Sequence, residues 1–442
     1  MEWKTLLCSH ALADANSEAT AARNSFVRDL DRIVFSAPFR RLANKTQVQP
    51  LYEHDHVHHR LIHSIEVSSV GRSLAMEVGK WLEGENEIEA GESSDLASIV
   101  QAACVAHDIG NPPFGHSGEE AIGDWFAKKF ASPEGLFADV DDFRRREFIK
   151  FEGNAQGFRI ITRLEMARNS GGLRLSTATL GAFTKYPTTA EVSQKLSEPY
   201  IGLKKFGIFH SELEIFEEVA KTLGLPKEAD GENVWWARHP LVFLVEAADD
   251  ICYNIVDLED AFTTGELSYE TVRDVFLEAL GTNRGRERLS KTEHIALLRA
   301  MTIGKAVQSC VEAFKKNYED IMNGTFSESL KYAGSMSSIF KKMKEISSDQ
   351  VFTARRKTEL EVSGRRTIEN VMSGLLPVYE ELAQTGWNTS SLSSHNEQLL
   401  RALSLDLHDV KSAYEALHSL ADFVSGMTDR YALRISRMLS GT

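Results

Sequence analysis

The chain has 442 residues and a formal net charge of −14, because 64 acidic side chains outnumber 50 basic ones. This acidic balance argues against non-specific nucleic-acid binding over the whole surface, and it requires a local basic pocket for any anionic substrate. The 4 cysteines are far apart and form no Cys-x-x-Cys pair, which argues against a disulfide framework and fits a reducing cytoplasm. The first residues lack a signal pattern and no apolar run is long enough to span a bilayer, so we expect a cytoplasmic protein without membrane contact.

The N-terminal part of the chain is predicted to hold an arm followed by helices. Residues 1–25 are polar and rich in alanine, which indicates a loosely attached arm. Apolar residues recur at helical spacing over 26–42, and a His-rich run at 54–63 opens a helix that continues to Val78. An acidic loop that contains glycine is expected at 84–94.

The stretch 104–119 is predicted to join two helices across a break rich in glycine and proline. Small apolar residues lead into His107, Gly110 is expected to cap this helix, and the Pro-Pro pair that follows stops it. The chain then restarts as a helix, which places His116 and Glu119 on one face of its first turn. Titratable side chains thus gather at two helix ends. This arrangement is energetically unfavourable if it serves the fold alone, and it therefore indicates a functional site.

The segment up to residue 265 is predicted to alternate helices with irregular pieces. We expect a charged loop at 132–146, an amphipathic helix at 148–166, a short helix at 176–185 and an irregular excursion at 188–209. Pro240 suits the first position of a long helix at 241–262. In that helix Asp249, Tyr253 and Asp257 recur at intervals of four and share one face.

After residue 265 the helical pattern continues to the end of the chain. Helices are expected at 269–280, 294–322, 335–346, 361–383, 397–402 and 408–438. The whole pattern predicts an all-α protein with an N-terminal arm at 1–25, a catalytic core at 26–265 and a helical region at 266–442. The last region is expected to contribute to oligomerisation and to substrate or effector binding.

Imidazole and carboxylate side chains recur along the core as a candidate metal-binding set. His63, His107, Asp108 and Asp249 combine ligand types that suit Mn²⁺, Fe²⁺, Ni²⁺, Zn²⁺ or Mg²⁺ and leave positions for water and phosphate oxygen. Each residue also fits a structural role, since a lone helical histidine is more often a hydrogen-bonding residue. The pair Asp249-Asp250 equally fits two exposed acidic residues on a helix surface. The apolar run before it, however, favours a carboxylate that has a partner, such as a metal ion.

Several ordered motifs resemble one enzyme family. They are Arg41-Leu-Ala-Asn-Lys-Thr-Gln47-Val, Arg60-Leu-Ile-His63, His107-Asp108-Ile-Gly-Asn-Pro-Pro-Phe-Gly-His116-Ser-Gly-Glu119, Phe151-Glu-Gly-Asn154 and Glu246-Ala-Ala-Asp249-Asp-Ile-Cys-Tyr253. In this order they resemble the deoxyguanosine triphosphate triphosphohydrolases and their broader-specificity relatives, within the HD superfamily of metal-dependent phosphohydrolases. The resemblance covers residues 25–265, and Ser425-Gly-Met-Thr-Asp429 near the end of the chain shares it.

The resemblance implies an all-α HD-domain enzyme that splits a deoxynucleoside triphosphate into deoxynucleoside and intact triphosphate. Its cofactor would be a divalent metal ion, either Mn²⁺, Mg²⁺ or another first-row ion. By motif, the metal ligands would be His63, His107, Asp108 and Asp249. His116, oriented by Glu119, would protonate the leaving 5′ oxygen as a general acid.

The resemblance also implies contacts to the substrate. Gln47 and Asp257 match residues that hold the sugar 3′-hydroxyl, and Tyr253 matches a ring that packs on deoxyribose and excludes a 2′-hydroxyl. Arg60 is expected to reach the region of the α-phosphate. Further candidates for phosphate or sugar contact, each of which also fits a scaffold role, are Asn154, Lys185 and Tyr186.

Basic clusters at 144–146, 355–357 and 364–366 are candidate anion sites on an otherwise acidic protein. Arg365 and Arg366 are favoured for phosphate or an effector, because they are predicted at a helix start where backbone N–H groups add donors. The family is commonly oligomeric, with hexamers among its members, and some relatives bind single-stranded DNA. A homo-oligomer, a nucleotide effector and a local DNA site are therefore expectations.

The residues leave three functions open. Hydrolysis of dNTPs, of dGTP or more broadly, is favoured by the His116–Glu119 pair and by the predicted sugar contacts. Another HD-type phosphohydrolase, acting on nucleoside monophosphates or alarmone nucleotides, is the second. A regulatory nucleic-acid-binding protein with a vestigial HD site is the third, although the complete metal set and the net charge of −14 argue against it.

Overall fold

The computed structural model describes residues 1–12, 24–46, 59–166, 171–192, 200–230, 233–282, 289–351 and 355–441. Within these ranges the regular structure is helical apart from one two-stranded sheet and a few isolated bridges, so the predicted all-α fold is confirmed. None of the helices in these ranges has the length and apolarity that a membrane crossing requires.

The α-helices of the first part of the described chain are α1 Trp3–Leu6, α2 Ser25–Val34, α3 Ala37–Arg41, α4 Arg60–Gly84, α5 Ser93–Ala106, α6 Gly115–Phe130, α7 Asp142–Ile149, α8 Gly153–Arg159, α9 Thr177–Phe183, α10 Leu213–Leu223 and α11 Val242–Thr264. Those that follow are α12 Tyr269–Leu280, α13 Lys291–Lys316, α14 Tyr318–Asn323, α15 Leu330–Ala333, α16 Ser337–Ile346, α17 Arg355–Gln384, α18 Ser394–Leu403, α19 Ala413–Ser425 and α20 Asp429–Ser440.

Shorter elements connect these helices. Strand β1 (Lys227–Asp230) pairs antiparallel with β2 (Asn233–Trp236), and Lys227 lies opposite Trp236. Single 3₁₀ turns occur at Leu42–Asn44, Gly135–Phe137, Ile201–Leu203, His210–Glu212 and Thr389–Ser391, and π-helical turns at Ile160–Leu164 and Ser347–Val351.

Helix α5 is buried on almost all sides and lies at the centre of the fold. Residues 96–106 are small or apolar apart from Gln101, and α4 and α11 both pack against this helix. Gly71 of α4 comes so close that a Cβ there would lie 2.5 Å from Cys104 Sγ. Because α4 and α5 run antiparallel, this close packing brings the start of α4, with His63, to the end of α5, where His107 follows.

Buried apolar side chains form two clusters. The first joins α1–α5 and α9–α16, and the second joins α6, α7 and α17–α20. Helix α8 contributes Phe158 to the first and Ala155 to the second. Both clusters draw on residues before and after 265, so the predicted division of the chain there is not a division between cores. The helices that carry His63 and His116 belong to different clusters, which places the candidate site where the two clusters meet.

The described N-terminal residues differ from the predicted loose arm. Trp3 and Leu6 are buried, and Trp3 Nε1 donates a hydrogen bond to Tyr318 Oη at 2.9 Å. The terminal amine donates to Met322 O at 2.8 Å. Loose attachment is therefore wrong for residues 1–12, because Trp3 and Leu6, three residues apart, form a small apolar face that docks on the body. Residues 13–23 lie outside the described residues.

Helix boundaries differ from the predictions where capping residues interrupt the apolar pattern. The predicted helix at 26–42 divides at Ser36, whose Oγ accepts a hydrogen bond from the Phe39 amide at 3.4 Å. The predicted loop at 132–146 instead contains the start of α7, since Asp141 accepts from the Arg144 amide at 2.8 Å. The predicted helices at 294–322 and 408–438 are each broken once, and the small sheet has no counterpart in the prediction.

Candidate active site

Three of the predicted metal ligands converge where α4, α5 and α11 meet. His63 lies in the first turn of α4, His107 directly follows α5, and Asp249 lies in α11. His63 Nε2 is 3.2 Å from Asp249 Oδ1, and His107 Nε2 is 3.7 Å from the same oxygen. One donor atom from each residue lies within 4.8 Å of the other two. We call these three residues the ligand trio.

Asp108, the fourth predicted ligand, lies beside the trio. Its Oδ1 is 3.5 Å from His107 Nε2 and accepts a short hydrogen bond from Asn111. Its Oδ2 accepts a hydrogen bond from Arg60 Nη1 at 2.7 Å. Burial would raise the pKa of Asp108, but Arg60 and the neighbouring histidines lower it to about 2. A carboxylate that stays ionised and is oriented by an arginine therefore adjoins the trio.

The electrostatics of the trio suit a cation. Burial alone would raise the pKa of Asp249, but the hydrogen bond with His63 and the attraction of His107 and Lys185 lower it below its usual value. Burial would lower the pKa of His63, and its contact with Asp249 instead raises it. The negative charge of Asp249 thus favours a positive charge beside it, either on a protonated His63 or on a bound metal ion. Imidazole nitrogens with carboxylate oxygens form a donor set that fits a divalent first-row ion or Mg²⁺.

The loop between His107 and α6 is compact because glycines allow backbones to approach closely. A Cβ at Gly110 would lie 2.1 Å from both Gly153 O and Gly157 N of α8. Gly110 therefore packs against α8 and does not cap α5, which ends at Ala106 with His107 still in a helical conformation. The predicted C-cap is wrong because tertiary contact, and not local geometry, requires glycine here.

His116 and Glu119 lie in the first turn of α6 in different surroundings. His116 is exposed, whereas Glu119 is buried and its Oε1 accepts a hydrogen bond from the Gly153 amide at 2.9 Å. Desolvation and the positive charges of Lys205 and Arg60 lower the pKa of His116. Burial raises the pKa of Glu119, although Lys205 and the Gly153 amide oppose this shift. The turn thus carries an exposed imidazole and, three residues later, a buried carboxyl group.

A cavity of about 430 Å³ joins the ligand trio to this turn. His107 and Asp249 line it together with His116 and Glu119. Its volume falls in the range of roughly 300–1,000 Å³ that is typical of small-molecule sites. The cationic side chains in its lining are Arg60, Lys185, Lys204 and Lys205. The same lining also contains six carboxyl groups, those of Asp108, Glu119, Glu152, Glu246, Asp249 and Asp250. Arg60, Lys185 and Lys205 each pair with one of them. The cavity therefore offers cations to an anionic substrate, but its lining is mixed in charge and differs from the basic pocket that was expected.

The predicted substrate residues fall into three groups. Arg60, Asn154, Lys185, Tyr186 and Tyr253 all line the cavity. Asp257 is buried two turns beyond Asp249 on α11 and is not among the described residues that line it. Gln47 lies outside the described residues.

Arg365 and Arg366 are not among the described residues that line the cavity. They lie in the interior of α17, which begins at Arg355, so the expectation that they start a helix is wrong. Arg365 Nη2 is 2.9 Å from Glu120 Oε2 and a second nitrogen contacts Asp124. Arg366 Nη1 is 3.0 Å from Glu369 Oε2. Both guanidinium groups therefore pair with acidic side chains of the same chain, and neither lies at the N-terminus of α17.

Sequence reasoning missed Lys204, Lys205 and Glu152 as cavity residues. Lys205 Nζ lies 2.9 Å from Glu152 Oε2, and Glu152 Oε1 accepts from Asn154 Nδ2 at 2.6 Å. Burial and the nearby charge of Glu119 raise the pKa of Glu152. The available signals were a pair of adjacent lysines in an irregular segment and the position of Glu152 inside the Phe151–Asn154 motif.

Buried ion pairs support the part of α11 that carries Asp249. Glu246 accepts from Arg238 Nη1 at 3.0 Å and lies 3.2 Å from Lys185 Nζ. Burial would raise the pKa of Glu246, but Arg238 and Lys185 lower it to about 2. Asp250 instead pairs with Lys331 of α15 at 2.6 Å. The structure thus directs Asp249 toward the histidines and its neighbour toward a lysine, which agrees with the choice of Asp249 as the predicted ligand.

The fold and the histidine–aspartate cluster define the class of protein. The HD domain family model matches residues 60–165, which include His63, His107 and Asp108. HD domains are helical, metal-dependent hydrolases, and the ligand trio is a cluster that fits a metal. The chain therefore contains an HD-type hydrolase domain.

Relatives over the full length specify the family. A protein of Pseudomonas aeruginosa described as "Deoxyguanosinetriphosphate triphosphohydrolase-like protein" is 40% identical over 100% of this chain and 99% of its own. One from Synechocystis with the same description is 38% identical over 100% and 99%. A "Deoxyguanosinetriphosphate triphosphohydrolase" of Yersinia enterocolitica is 32% identical over 92% of both chains. The protein belongs to the deoxyguanosinetriphosphate triphosphohydrolase-like family.

Proposed function

We propose that this protein hydrolyses deoxynucleoside triphosphates, dGTP and other dNTPs, to deoxynucleoside and inorganic triphosphate. The observation that carries the proposal is that one cavity, which also contains four cationic side chains, joins His107 and Asp249 of the ligand trio to His116 and Glu119. The names of the relatives support the same reaction.

The cofactor in this proposal is a divalent ion such as Mn²⁺ or Mg²⁺. His63, His107 and Asp249 would hold it, and Asp108 would complete the set. When bound, such an ion supplies Lewis acidity that activates water and compensates phosphate charge. Arg60 keeps Asp108 oriented and ionised at this position through their hydrogen bond of 2.7 Å.

His116 supplies the proton that the leaving group needs. Attack of water at the α-phosphorus forms a new P–O bond and breaks the bond to the 5′ oxygen, which is a poor leaving group unless it is protonated. His116 lines the cavity and, in its protonated form, donates a proton to this oxygen, while the attacking water releases a proton to the solvent. The products are a neutral deoxynucleoside and triphosphate that carries the water oxygen. Glu119, fixed by the Gly153 amide, orients the imidazole.

Cationic and aromatic side chains select the substrate in this proposal. Lys185, Lys204 and Lys205 meet the polyphosphate, and Arg60 lies near the α-phosphate. Tyr253 is one turn from Asp249 and lines the cavity. In keeping with the family resemblance, its ring is proposed to pack on deoxyribose and to leave no room for a 2′-hydroxyl. Gln47 and Asp257 are proposed to hold the 3′-hydroxyl, in keeping with the family resemblance.

The test is to incubate the purified protein with each dNTP and with GTP, with Mn²⁺ or Mg²⁺, singly and in pairs. Inorganic triphosphate and deoxynucleoside are the expected products, with little turnover of GTP. Asp249→Asn should abolish turnover, whereas Asp139→Asn, an exposed control, should leave it unchanged. Pyrophosphate with monophosphate as products, or hydrolysis of monophosphates or alarmone nucleotides in place of dNTPs, would overturn the proposal.

The proposed assembly is a homo-oligomer, hexamers included. A nucleotide effector and a local site for single-stranded DNA belong to the same proposal. Stimulation of turnover only in dNTP mixtures would support an effector, and the molar mass in solution would test the oligomer.

A further inference from the structure

The turn that carries His116 is held by a residue close to the C-terminal end of the chain. Asp429, the first residue of α20, is only 2% exposed. Its Oδ1 accepts a hydrogen bond from the Phe114 amide at 3.0 Å. Its Oδ2 accepts from the Thr46 amide at 3.1 Å and, in a short contact, from the Thr46 hydroxyl. One buried carboxylate thus joins three segments that are distant in sequence.

Lys45 makes a second tie between the same segments. Its Nζ donates to Asn111 O at 2.6 Å and to Ser425 O at 2.8 Å, and the side chain is buried. The loop that separates the ligand His107 from His116 is therefore held at residue 111 by Lys45 and at residue 114 by Asp429. We call Lys45 and Asp429 the C-terminal clasp, because both ties run to residues 425–429.

Phe114 has a conformation that needs such support. Its φ is +64°, in the left-handed region, which is unfavourable for a non-glycine residue and persists only where the surroundings enforce it. Its ring is pressed against Gly364 of α17, where a Cβ would lie 2.7 Å from Phe114 Cγ. Ser117 Oγ also donates to Glu361 O at 3.3 Å. The C-terminal helices thus fix this turn from both sides.

We infer that Asp429 is a positioning residue for His116, acting through the Phe114 amide; this inference rests on the proposed function. Without the carboxylate, the left-handed turn loses the acceptor that stabilises it, and the first turn of α6 moves away from the reacting oxygen. A misplacement of about 1 Å can lower turnover by about 100-fold. The ligand trio stands on α4, α5 and α11, and the hydrogen bonds of Asp429 go to none of these helices.

The experiment compares Asp429→Ala, which removes both acceptor oxygens, with wild type as full-length proteins. Asp429→Ala should lower kcat by about 10- to 100-fold and leave the Kd for Mn²⁺ within twofold. Hydrogen exchange followed by mass spectrometry should show faster exchange in peptides that cover residues 111–117. Asp406→Ala, at an exposed aspartate in the same part of the chain, is the matched control and should change none of the three values.

Two further variants keep the test decisive. Thr46→Val removes only the hydroxyl contact and leaves Phe114 bound, so its kcat should stay within threefold of wild type. If Asp429→Ala does not fold, Asp429→Glu keeps the charge but displaces it, and the same losses are expected. A folded variant at residue 429 with wild-type kcat, or with unchanged exchange at 111–117, overturns the inference. Absence of dNTP turnover in the wild type overturns the proposed function instead, and the exchange data then decide the clasp alone.

Discussion

His116 and Glu119 are three residues apart, but their surroundings shift their pKa values in opposite directions. Desolvation at the cavity and neighbouring cations lower the pKa of the His116 imidazole, whereas burial raises the pKa of the Glu119 carboxyl. Environments that move two pKa values in opposite directions are typical of acid–base sites. The carboxyl is anchored by the Gly153 amide, so Glu119 is fixed to α8 as well as to α6.

Replacement of His116 by alanine should remove proton delivery and leave the ligand trio intact. We expect kcat for dNTP hydrolysis to fall by about 100- to 10,000-fold, the usual contribution of general acid catalysis. The Kd for Mn²⁺ should stay within twofold of wild type. His408→Ala, at an exposed histidine far along the chain, is the control. Near-normal turnover of His116→Ala with metal bound would show that another group delivers the proton.

Replacement of Lys205 by methionine should weaken substrate binding. Lys205 lines the cavity as a cation, and loss of one charged contact costs about 1.5–3 kcal/mol, so KM should rise by about tenfold or more. We expect a smaller change in kcat, because the contact to phosphate exists before and during the reaction. Steady-state kinetics measure the split, with the exposed Lys221→Met as control. An unchanged KM would place Lys205 outside the substrate site.

At the scale of elements, close backbone contact and not helix propensity sets the geometry of the site. The 107–115 loop lies directly on α8 at Gly110, and the amide that starts α8 is the one that binds Glu119. The sequence pattern predicts the helix break there correctly but assigns the glycine to capping. Capping is a local property, whereas the approach of α8 depends on how two distant segments fold together.

Gly110→Ala should therefore disturb both stability and activity. The added Cβ would meet two backbone atoms at 2.1 Å, so α8 has to shift. Overpacking of this kind destabilises by about 1–3 kcal/mol. Gly304→Ala is the matched control, since a Cβ there meets nothing within 4 Å in the middle of α13 and should stabilise the helix by up to about 1 kcal/mol. Thermal unfolding measures both effects, and equal melting temperatures for the two variants would contradict this account.

At the scale of the whole molecule, both ends of the chain are built into the body. His239 lies three residues before α11 and connects this segment to α1. The side chain is fully buried, and its Nε2 lies 3.2 Å from Leu6 O. His239 Nδ1 accepts a hydrogen bond from the Leu241 amide at 3.1 Å, so the ring is neutral with its proton on Nε2. Toward the other end, Asp429 of α20 accepts a hydrogen bond from the Phe114 amide in the 107–115 loop.

His239 makes the stability of the protein depend on pH. Burial lowers its pKa from 6.5 to about 4, so the unfolded chain takes up this proton at a higher pH than the folded protein does. The stabilising contribution is complete above pH 6.5 and is lost as pH falls toward 4, by about 3 kcal/mol. Urea unfolding at pH 7, 5.5 and 4.5 should show a shallower decline for His239→Gln than for wild type. Equal pH dependence in the two proteins would remove His239 as the cause.

The sequence by itself determined the fold class, the main helices and most of the candidate site. Apolar spacing marks α4, α5 and α11, and the ordered motifs point to His63, His107 and Asp249, which the structure brings together. The sequence also points to five substrate-contact candidates that line the cavity, namely Arg60, Asn154, Lys185, Tyr186 and Tyr253. These features are legible because periodicity and motif order are properties of contiguous segments.

Only the tertiary structure decided which segments complete the site. Lys205 enters the cavity from an irregular segment, Arg365 is paired with Glu120 and Asp124, and Asp429 reaches the turn before His116. None of these contacts follows from spacing, because each joins residues that lie far apart in the chain. Such contacts depend on how the two hydrophobic clusters pack against each other, and the 107–115 loop lies where these clusters meet.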